Sequence, residues 1–199
     1  MLAEAADGLD LDGVRITGVV VPVTWGGAFD ALRAAVHRTR PTALLMLGVA
    51  DRPAFNFERV AQNRQGFRPD TEGALPAGHE VVPGGPAQLE ARLPWSSLST
   101  GSARAVCSRD AGDYLCNHLL YRALHGLDAL EHCGFVHVPP LDSSGLASAM
   151  PWETLSAAGR SLIASLAATL AAQPRESDGV VRTQTRTPEH EQQYPNGNT

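Results

Sequence analysis

Aliphatic runs alternate with amphipathic stretches along the first third of the chain. Residues 14–23 are rich in valine and isoleucine, which is typical of a strand. Residues 28–40 place apolar side chains at helical spacing up to Pro41, and residues 43–49 form a continuous apolar run. Strand, helix and strand in this order predict a βαβ unit with two parallel strands.

The second half of the chain repeats this alternation with shorter strands. Residues 103–107 and 134–138 predict two strands, and residues 114–125 and 151–172 predict two helices with leucine on one face. Residues 63–103 hold much of the proline and glycine, as expected of a long functional loop. We therefore predict an α/β fold with three layers, α/β/α, around a mostly parallel twisted sheet.

The organisation predicted from these patterns is one folded domain and a tail. A chain of 199 residues suits a single domain with its own core. Residues 1–173 carry the apolar periodicity, whereas residues 174–199 have almost none of it. We therefore predict an α/β domain over residues 1–173 and a disordered C-terminal tail over residues 174–199.

Composition narrows the classes of function and location. The formal net charge is −5 and the chain has no basic block, which argues against nucleic-acid binding through phosphate neutralisation. No apolar run reaches the roughly 20 residues that cross a bilayer, and the N-terminus lacks a signal-peptide pattern. We therefore predict a cytoplasmic protein with neither a nucleic-acid nor a membrane partner. The sequence leaves a homo-oligomer open.

The chain has three cysteines, Cys107, Cys116 and Cys133, and no CxxC pair, which argues against a disulfide framework and a structural zinc site. Cys116 lies in the first turn of a predicted helix, where the partial positive charge of the helix end favours thiolate. We therefore predict that Cys116 is the reactive thiol and reacts first with iodoacetamide. The alternative is a buried cysteine on an apolar helix face.

A cysteine nucleophile requires a base that a third group orients. His137 and Glu58 are the candidates, because each lies within or beyond a predicted strand, at the sheet edge where open α/β sheets bind ligands. Taken alone, His137 is more typical of a core histidine. Glu58 alone is more typical of an exposed carboxylate paired with Arg59 or Arg64.

Three motifs contain these residues, in the order glutamate, cysteine and histidine. They are Glu58-Arg59-Val60-Ala61-x-Asn63 with the following Arg68-Pro69-Asp70-x-Glu72-Gly73, Ser108-x-x-Ala111-Gly112-x-Tyr114-Leu115-Cys116-Asn117-x-x-x-Tyr121, and Gly134-Phe135-Val136-His137-Val138-Pro139. Together they resemble the glutamate, nucleophile and histidine segments of pyroglutamyl-peptidase I, also called pyrrolidone-carboxylate peptidase. The resemblance extends over about residues 9–172.

The resemblance implies a cysteine omega-peptidase that hydrolyses the amide bond after an N-terminal pyroglutamate (5-oxoproline), through a thioester acyl-enzyme. Cys116 then matches the nucleophile, His137 the general base and acid, and Glu58 the carboxylate that orients the histidine. The implied substrate is a pyroglutamyl peptide. No cofactor and no metal are implied.

Arg68 matches an arginine that the family places near the developing oxyanion. A positive charge at that position would stabilise the tetrahedral intermediate. The alternative is a surface arginine paired with Asp70 or Glu72.

The chain departs from the family in two places. The family's first strand and its Gly-Phe-x-Pro-Phe-Gly-like loop, whose aromatic residues help to hold the pyrrolidone ring, have no counterpart, and one residue is missing between Arg68 and Pro69. We therefore expect an unpaired sheet edge, an altered ring pocket and weak or no activity. Two alternatives stay open: a pseudoenzyme or binding protein of the same fold, and a cysteine amidohydrolase with altered acyl specificity.

Overall fold

The computed structural model of the protein describes residues 2–173. The predicted tail, residues 174–199, lies outside the described residues, so its disorder stays a prediction. The helices and strands are, in chain order, α1 (Leu2–Ala6), β1 (Asp10–Leu11), β2 (Val14–Arg15), α2 (Gly27–Thr39), β3 (Ala43–Val49), β4 (Phe55–Glu58), β5 (Val60–Gln62), β6 (Gln88–Glu90), β7 (Ala105–Ser108), α3 (Leu115–Gly126), β8 (His132–Val138) and α4 (Trp152–Ala171).

The central sheet has four strands in the order β3-β8-β4-β7. Strand β3 is parallel to β8 and β4 is parallel to β7, whereas β4 and β8 are antiparallel. Most neighbouring pairs are therefore parallel, and helices cover both faces. The predicted three-layer α/β/α fold around a mostly parallel sheet is confirmed.

Two apolar cores lie on opposite faces of this sheet. On one face, Met46 of β3 and Phe135 of β8 pack with the buried sides of α2 and α3. On the other face, Phe57 and Val136 pack against α4 through Leu162. Successive side chains of a strand point to opposite faces, so each strand contributes alternate residues to the two cores.

Local sequence signals located most of these elements. Helices α2, α3 and α4 and strands β3, β7 and β8 begin and end within two residues of the predicted bounds. Helix α2 shows the physical reason, because Arg40 takes a left-handed conformation (φ 47°) directly before Pro41, which cannot continue a helix.

The predicted strand over residues 14–23 is wrong for most of its length. Only β2, Val14–Arg15, is a strand, and it pairs in a small hairpin with β1. The following residues have no strand partner, and Val20 and Val23 are 67% and 53% exposed. The predicted βαβ unit is therefore wrong as well. β-Branched residues favour an extended backbone, but a strand also requires a neighbouring edge with which to pair.

An apolar cavity of about 360 Å³ lies beside the outer edge of β3. Residues 41–47 line one side of it and residues 14–21 the other, while α2 and α4 contribute leucine, isoleucine and alanine side chains. Within residues 2–173, no backbone hydrogen bond is made along this edge of β3. The unpaired edge expected from the sequence is this side of β3.

Helix α4 has 20 residues and a mean hydropathy of 1.2, so by length and composition alone it could cross a membrane. Its buried residues, among them Leu155 and Leu162, form part of the core on one face of the sheet. Packing within the domain therefore accounts for the buried face of α4.

The amide of Asn117 joins α3 to β5. Asn117 is fully buried, its Oδ1 accepts the N–H of Gln62 at 2.9 Å, and its Nδ2 donates to the carbonyls of Gln62 and Arg64 at 2.8 and 2.9 Å. Buried backbone groups that lose such partners are costly, so this side chain fixes the distance between the helix and the strand.

We predict that Asn117→Asp lowers the free energy of unfolding by about 3 kcal/mol, because it places a carboxylate oxygen against two carbonyl oxygens. Urea denaturation followed by circular dichroism measures the change. The control is Asp30→Asn, the reverse exchange, at an exposed position of α2. It should change the free energy of unfolding by less than about 0.5 kcal/mol. Equal midpoints for wild type and Asn117→Asp would contradict the prediction.

Candidate active site

The contact between Glu58 and His137 lies at the centre of the candidate site. Phe57 points into the core against α4, so the neighbouring Glu58 points to the opposite face, toward α3. The antiparallel register places Glu58 opposite Phe135, two residues before His137. His137 Nδ1 lies 2.7 Å from Glu58 Oε1, and the two residues are only 4% and 0% exposed. The alternative of an exposed Glu58 is therefore wrong.

This contact fixes the hydrogen-bonding roles of the imidazole. A carboxylate only accepts, so Nδ1–H of His137 donates to Oε1 of Glu58. The neutral ring then carries its lone pair on Nε2, which can accept a proton. The buried carboxylate also stabilises the imidazolium that results.

Cys116 lies on the same face of the sheet. It is the second residue of α3, and its Sγ would be 3.1 Å from a Cβ atom added at Gly48. Gly48 is in turn the register partner of His137 between β3 and β8. The structure therefore brings Cys116, His137 and Glu58 together across three neighbouring elements, α3, β8 and β4.

The environment of Cys116 raises its pKa to about 11, chiefly through burial and then through the charge of Glu58, while Arg52 lowers it. Desolvation thus raises the pKa of Cys116 more than the partial positive charge of the helix end lowers it. With a pKa of about 11, the resting thiol is protonated at neutral pH. Cys107 is exposed, and Cys133 is buried with a pKa raised to about 11 by desolvation. The raised pKa of Cys116 and the exposure of Cys107 argue against the labelling order expected from the sequence, which stays a prediction.

Arg68 lies beside the start of α3 and does not pair with Asp70 or Glu72. Its Nη2 donates to Asp113 Oδ1 at 2.7 Å, and its guanidinium lies 4.6 Å from the ring centre of Tyr114. Asp113 and Tyr114 directly precede the helix that carries Cys116. Arg68 therefore places a positive charge, shared with Asp113, near the end of α3 that carries Cys116.

Asp70 anchors the loop that carries Arg68. Its carboxylate accepts the backbone N–H groups of Trp25, Glu72 and Ala74, each at 2.9 Å. The indole Nε1–H of Trp25 donates to the carbonyl of Arg68 at 3.0 Å. The loop is thus tied by two hydrogen bonds to Trp25, which precedes α2.

Sequence reasoning missed Gly48, Trp25 and Arg52 as site residues. Arg52 Nη1 donates to Oε1 of Glu58 at 3.1 Å, although the two residues are six positions apart along a turn and a strand. Trp25 packs edge-to-face on Tyr114 with ring centres 5.3 Å apart. None of the three belongs to a local motif, and only the strand register and the loop path bring them to the site.

Comparison with known proteins identifies the class of this site. The profile of the family described as pyroglutamyl peptidase matches residues 1–170. A pyrrolidone-carboxylate peptidase from Streptomyces coelicolor is 36% identical over 174 residues, which cover 81% of this chain and 80% of the relative. One from Oceanobacillus iheyensis is 32% identical over 149 residues, which cover 71% of this chain and 75% of the relative.

Solved structures agree with these sequence matches. A mutant pyrrolidone carboxyl peptidase from Pyrococcus furiosus matches with a TM-score of 0.76 and 27% identity, over 85% of this chain and 89% of that chain. Pyroglutamyl peptidase I from Bacillus amyloliquefaciens matches with a TM-score of 0.76 and 26% identity, over 84% and 87%.

An α/β sheet that brings a helix-start cysteine to a buried histidine–carboxylate pair, together with these matches, defines a cysteine peptidase. The chain belongs to the pyroglutamyl peptidase family. The family inferred from the three motifs is therefore confirmed.

We predict that Gly48→Ala lowers kcat/KM for amide hydrolysis about tenfold or more. The added Cβ would lie 3.1 Å from the Sγ of Cys116 and 2.6 Å from the ring of Phe135, so one of the two side chains must move. Steady-state kinetics at matched protein concentrations measures the change. The control is Gly134→Ala, whose Cβ meets Leu93 at 2.6 Å on the opposite face. Both variants should lose comparable stability through overpacking, so equal losses of activity would contradict a specific role for Gly48.

We predict that Asp70→Asn lowers the melting temperature at neutral pH and that this loss disappears in acid. The hydrogen bond from Trp25 N–H is the largest cause that lowers the pKa of Asp70 below its ordinary value of 3.8. A carboxyl group with a lowered folded-state pKa stabilises the fold above its unfolded pKa, and this contribution is lost as pH falls through the folded value. Thermal scans from neutral pH to below about pH 3, with Asp30→Asn as the control, should show converging curves. A constant difference at every pH would contradict this.

Proposed function

We propose that this chain is a cysteine omega-peptidase that releases an N-terminal pyroglutamate from peptides, with Cys116, His137 and Glu58 as its catalytic trio. The observation that carries the proposal is the buried 2.7 Å contact between His137 Nδ1 and Glu58 Oε1, on the sheet face that also holds the thiol. The substrate class is supported by the family to which the chain belongs. The proposal includes a cytoplasmic location, with which the peptidase fold is compatible.

Acylation begins from a neutral thiol, because the pKa of Cys116 is raised to about 11. As Sγ forms a bond with the carbonyl carbon of the scissile amide, its proton passes to Nε2 of His137. The carbonyl π electrons move to oxygen and produce an oxyanion, while Glu58 stabilises the imidazolium. The imidazolium then protonates the leaving nitrogen, the C–N bond breaks, and a thioester remains on Cys116.

Hydrolysis of the thioester by water completes the cycle, and His137 again acts first as the base and then as the acid. His137 removes a proton from water as its oxygen attacks the thioester carbon. The second tetrahedral intermediate expels the sulfur, which takes the proton back from His137. The products are free pyroglutamate and the resting thiol, so protons and charge balance over the two steps.

The oxyanion requires donors close to Cys116. The N–H groups of Leu115, Cys116 and Asn117 begin α3, and the first backbone bond of this helix is from His118 N–H to the Tyr114 carbonyl. The N–H groups ahead of that bond are available to an anion, and the helix dipole favours negative charge there. Arg68 contributes a further positive charge at the same helix end.

The test measures fluorophore release from pyroglutamyl, glutaminyl and prolyl amides. We expect the wild type to release it from the pyroglutamyl amide, weakly, and equally well in EDTA. Cys116→Ser and His137→Ala should lose roughly a thousandfold or more in kcat, and Glu58→Gln about ten- to a hundredfold. Cys107→Ser removes an exposed thiol and should leave the rate unchanged.

Each other outcome selects a different conclusion. Full activity in Cys116→Ser would refute the trio. Preference for the glutaminyl or prolyl amide would support the amidohydrolase with altered acyl specificity. Absence of hydrolysis of all three amides by a folded wild type would support the pseudoenzyme.

A further inference from the structure

Arg52 extends the line of contacts one residue beyond the proposed trio. Its Nη1 lies 3.1 Å from Oε1 of Glu58, the same oxygen that accepts the Nδ1–H of His137. One carboxylate oxygen therefore accepts from an imidazole on one side and a guanidinium on the other. An arginine provides several donors in a fixed plane, which suits a contact that has to hold both position and charge.

The guanidinium is itself held by groups on two strands and a loop. Nη2 donates to the backbone carbonyl of Asp110 at 3.1 Å, while Nη1 also approaches Asn56 Oδ1 at 3.5 Å and Ser108 Oγ at 3.4 Å. Ser108 ends β7, and Asp110 lies in the segment leading to α3. Arg52 is therefore anchored to the two elements that flank Glu58 and Cys116.

Glu58 requires a compensating charge more than any other carboxylate near the site. It is 0% exposed, and within residues 2–173 its Oε2 has no hydrogen-bond partner. A buried carboxylate with so few donors tends to become protonated unless a cation is close. The other charged side chains around it are engaged elsewhere: Asp51 with Ser148, Arg59 with Cys107 and the ring of Trp95, Arg64 with Asp110, and Arg68 with Asp113.

We propose that Arg52 is a positioning residue that holds the Glu58 carboxylate turned toward His137 and places a positive charge beside it, so that four residues rather than three act as the catalytic unit. The inference rests on the function proposed above. Arg52 does not touch the reacting atoms, and it acts through Glu58. Its charge also lowers the pKa of Cys116, which burial and Glu58 raise, so the same cation favours loss of the thiol proton.

The first experiment compares Arg52→Met and Arg52→Lys with wild type in kcat, KM and the pH dependence of kcat/KM. Without the cation, a higher pH is required to form the Cys116 thiolate, because the charge of Arg52 lowers the pKa of that group. We expect Arg52→Met to lower kcat roughly ten- to a hundredfold with little change in KM, and to move the acid limb to higher pH. Arg52→Lys should recover part of the loss, because an ammonium keeps the charge but not the fork of donors.

The second experiment is chemical rescue. The side chain of Arg52 is 36% exposed, so Arg52→Ala opens a space that solvent can reach. Millimolar guanidinium should restore part of the activity of Arg52→Ala, whereas urea, which has a similar shape without charge, should not. A structural contact alone would not produce this difference.

Arg64→Met is the matched control. Arg64 is a more exposed arginine that pairs with Asp110, so the variant removes a charge from the same neighbourhood without touching Glu58. We expect its kcat and pH profile to match wild type. If Arg52→Met changes only the melting temperature, with an unshifted pH profile and no guanidinium rescue, the inference is overturned although the proposed function stands.

The iodoacetamide reactivity of Cys116 separates the two proposals when the wild type hydrolyses no amide. The rate of alkylation as a function of pH, read by mass spectrometry of the peptide that contains Cys116, reports thiolate formation without turnover. Arg52→Met should move this curve to higher pH than in wild type and in Arg64→Met. Superimposed curves for the three proteins would overturn the inference.

Discussion

The burial of one carboxylate determines much of what surrounds it in this protein. Glu58 has no exposed surface, and Oε1 carries its hydrogen bonds to both His137 and Arg52. A carboxylate in such a place is tolerated only with close, well-oriented donors. The geometry of β4, β8 and the turn before β4 therefore serves to hold those donors, and the thiol on α3 is placed with respect to the same imidazole.

The shortness of β4 makes this contact feasible between two antiparallel strands. The rule that active residues gather at the carboxyl ends of parallel strands does not apply between β4 and β8, because these two strands run in opposite directions. Glu58 ends β4 and His137 lies near the end of β8, which for long strands would put them at opposite edges. β4 has only four residues, so the two side chains lie on a cross-strand diagonal and within reach.

Local sequence was sufficient for elements that are stabilised locally and insufficient for features that depend on distant neighbours. Helix α2 and strand β3 follow from apolar spacing and Pro41. Residues 14–23 did not form the predicted strand, since pairing depends on an edge that the pattern does not reveal. Motifs predicted the proposed trio, whereas strand register brings Gly48 to the site and the turn before β4 brings Arg52 there. The pKa of Cys116 is raised chiefly by burial, which no local pattern records.

The charges around the trio suit the transition state better than the resting site. At rest the thiol and the imidazole are a neutral pair, since burial raises the pKa of Cys116 to about 11. In the proposed mechanism, an imidazolium forms during attack beside the Glu58 carboxylate and an oxyanion forms near the start of α3, where amide N–H groups and Arg68 supply positive potential. Each new charge thus arises next to a fixed charge or dipole of the opposite sign. Interactions that strengthen only as charge develops accelerate the chemical step. With a preformed thiolate–imidazolium pair, part of this stabilisation would already act on the ground state and would not lower the barrier.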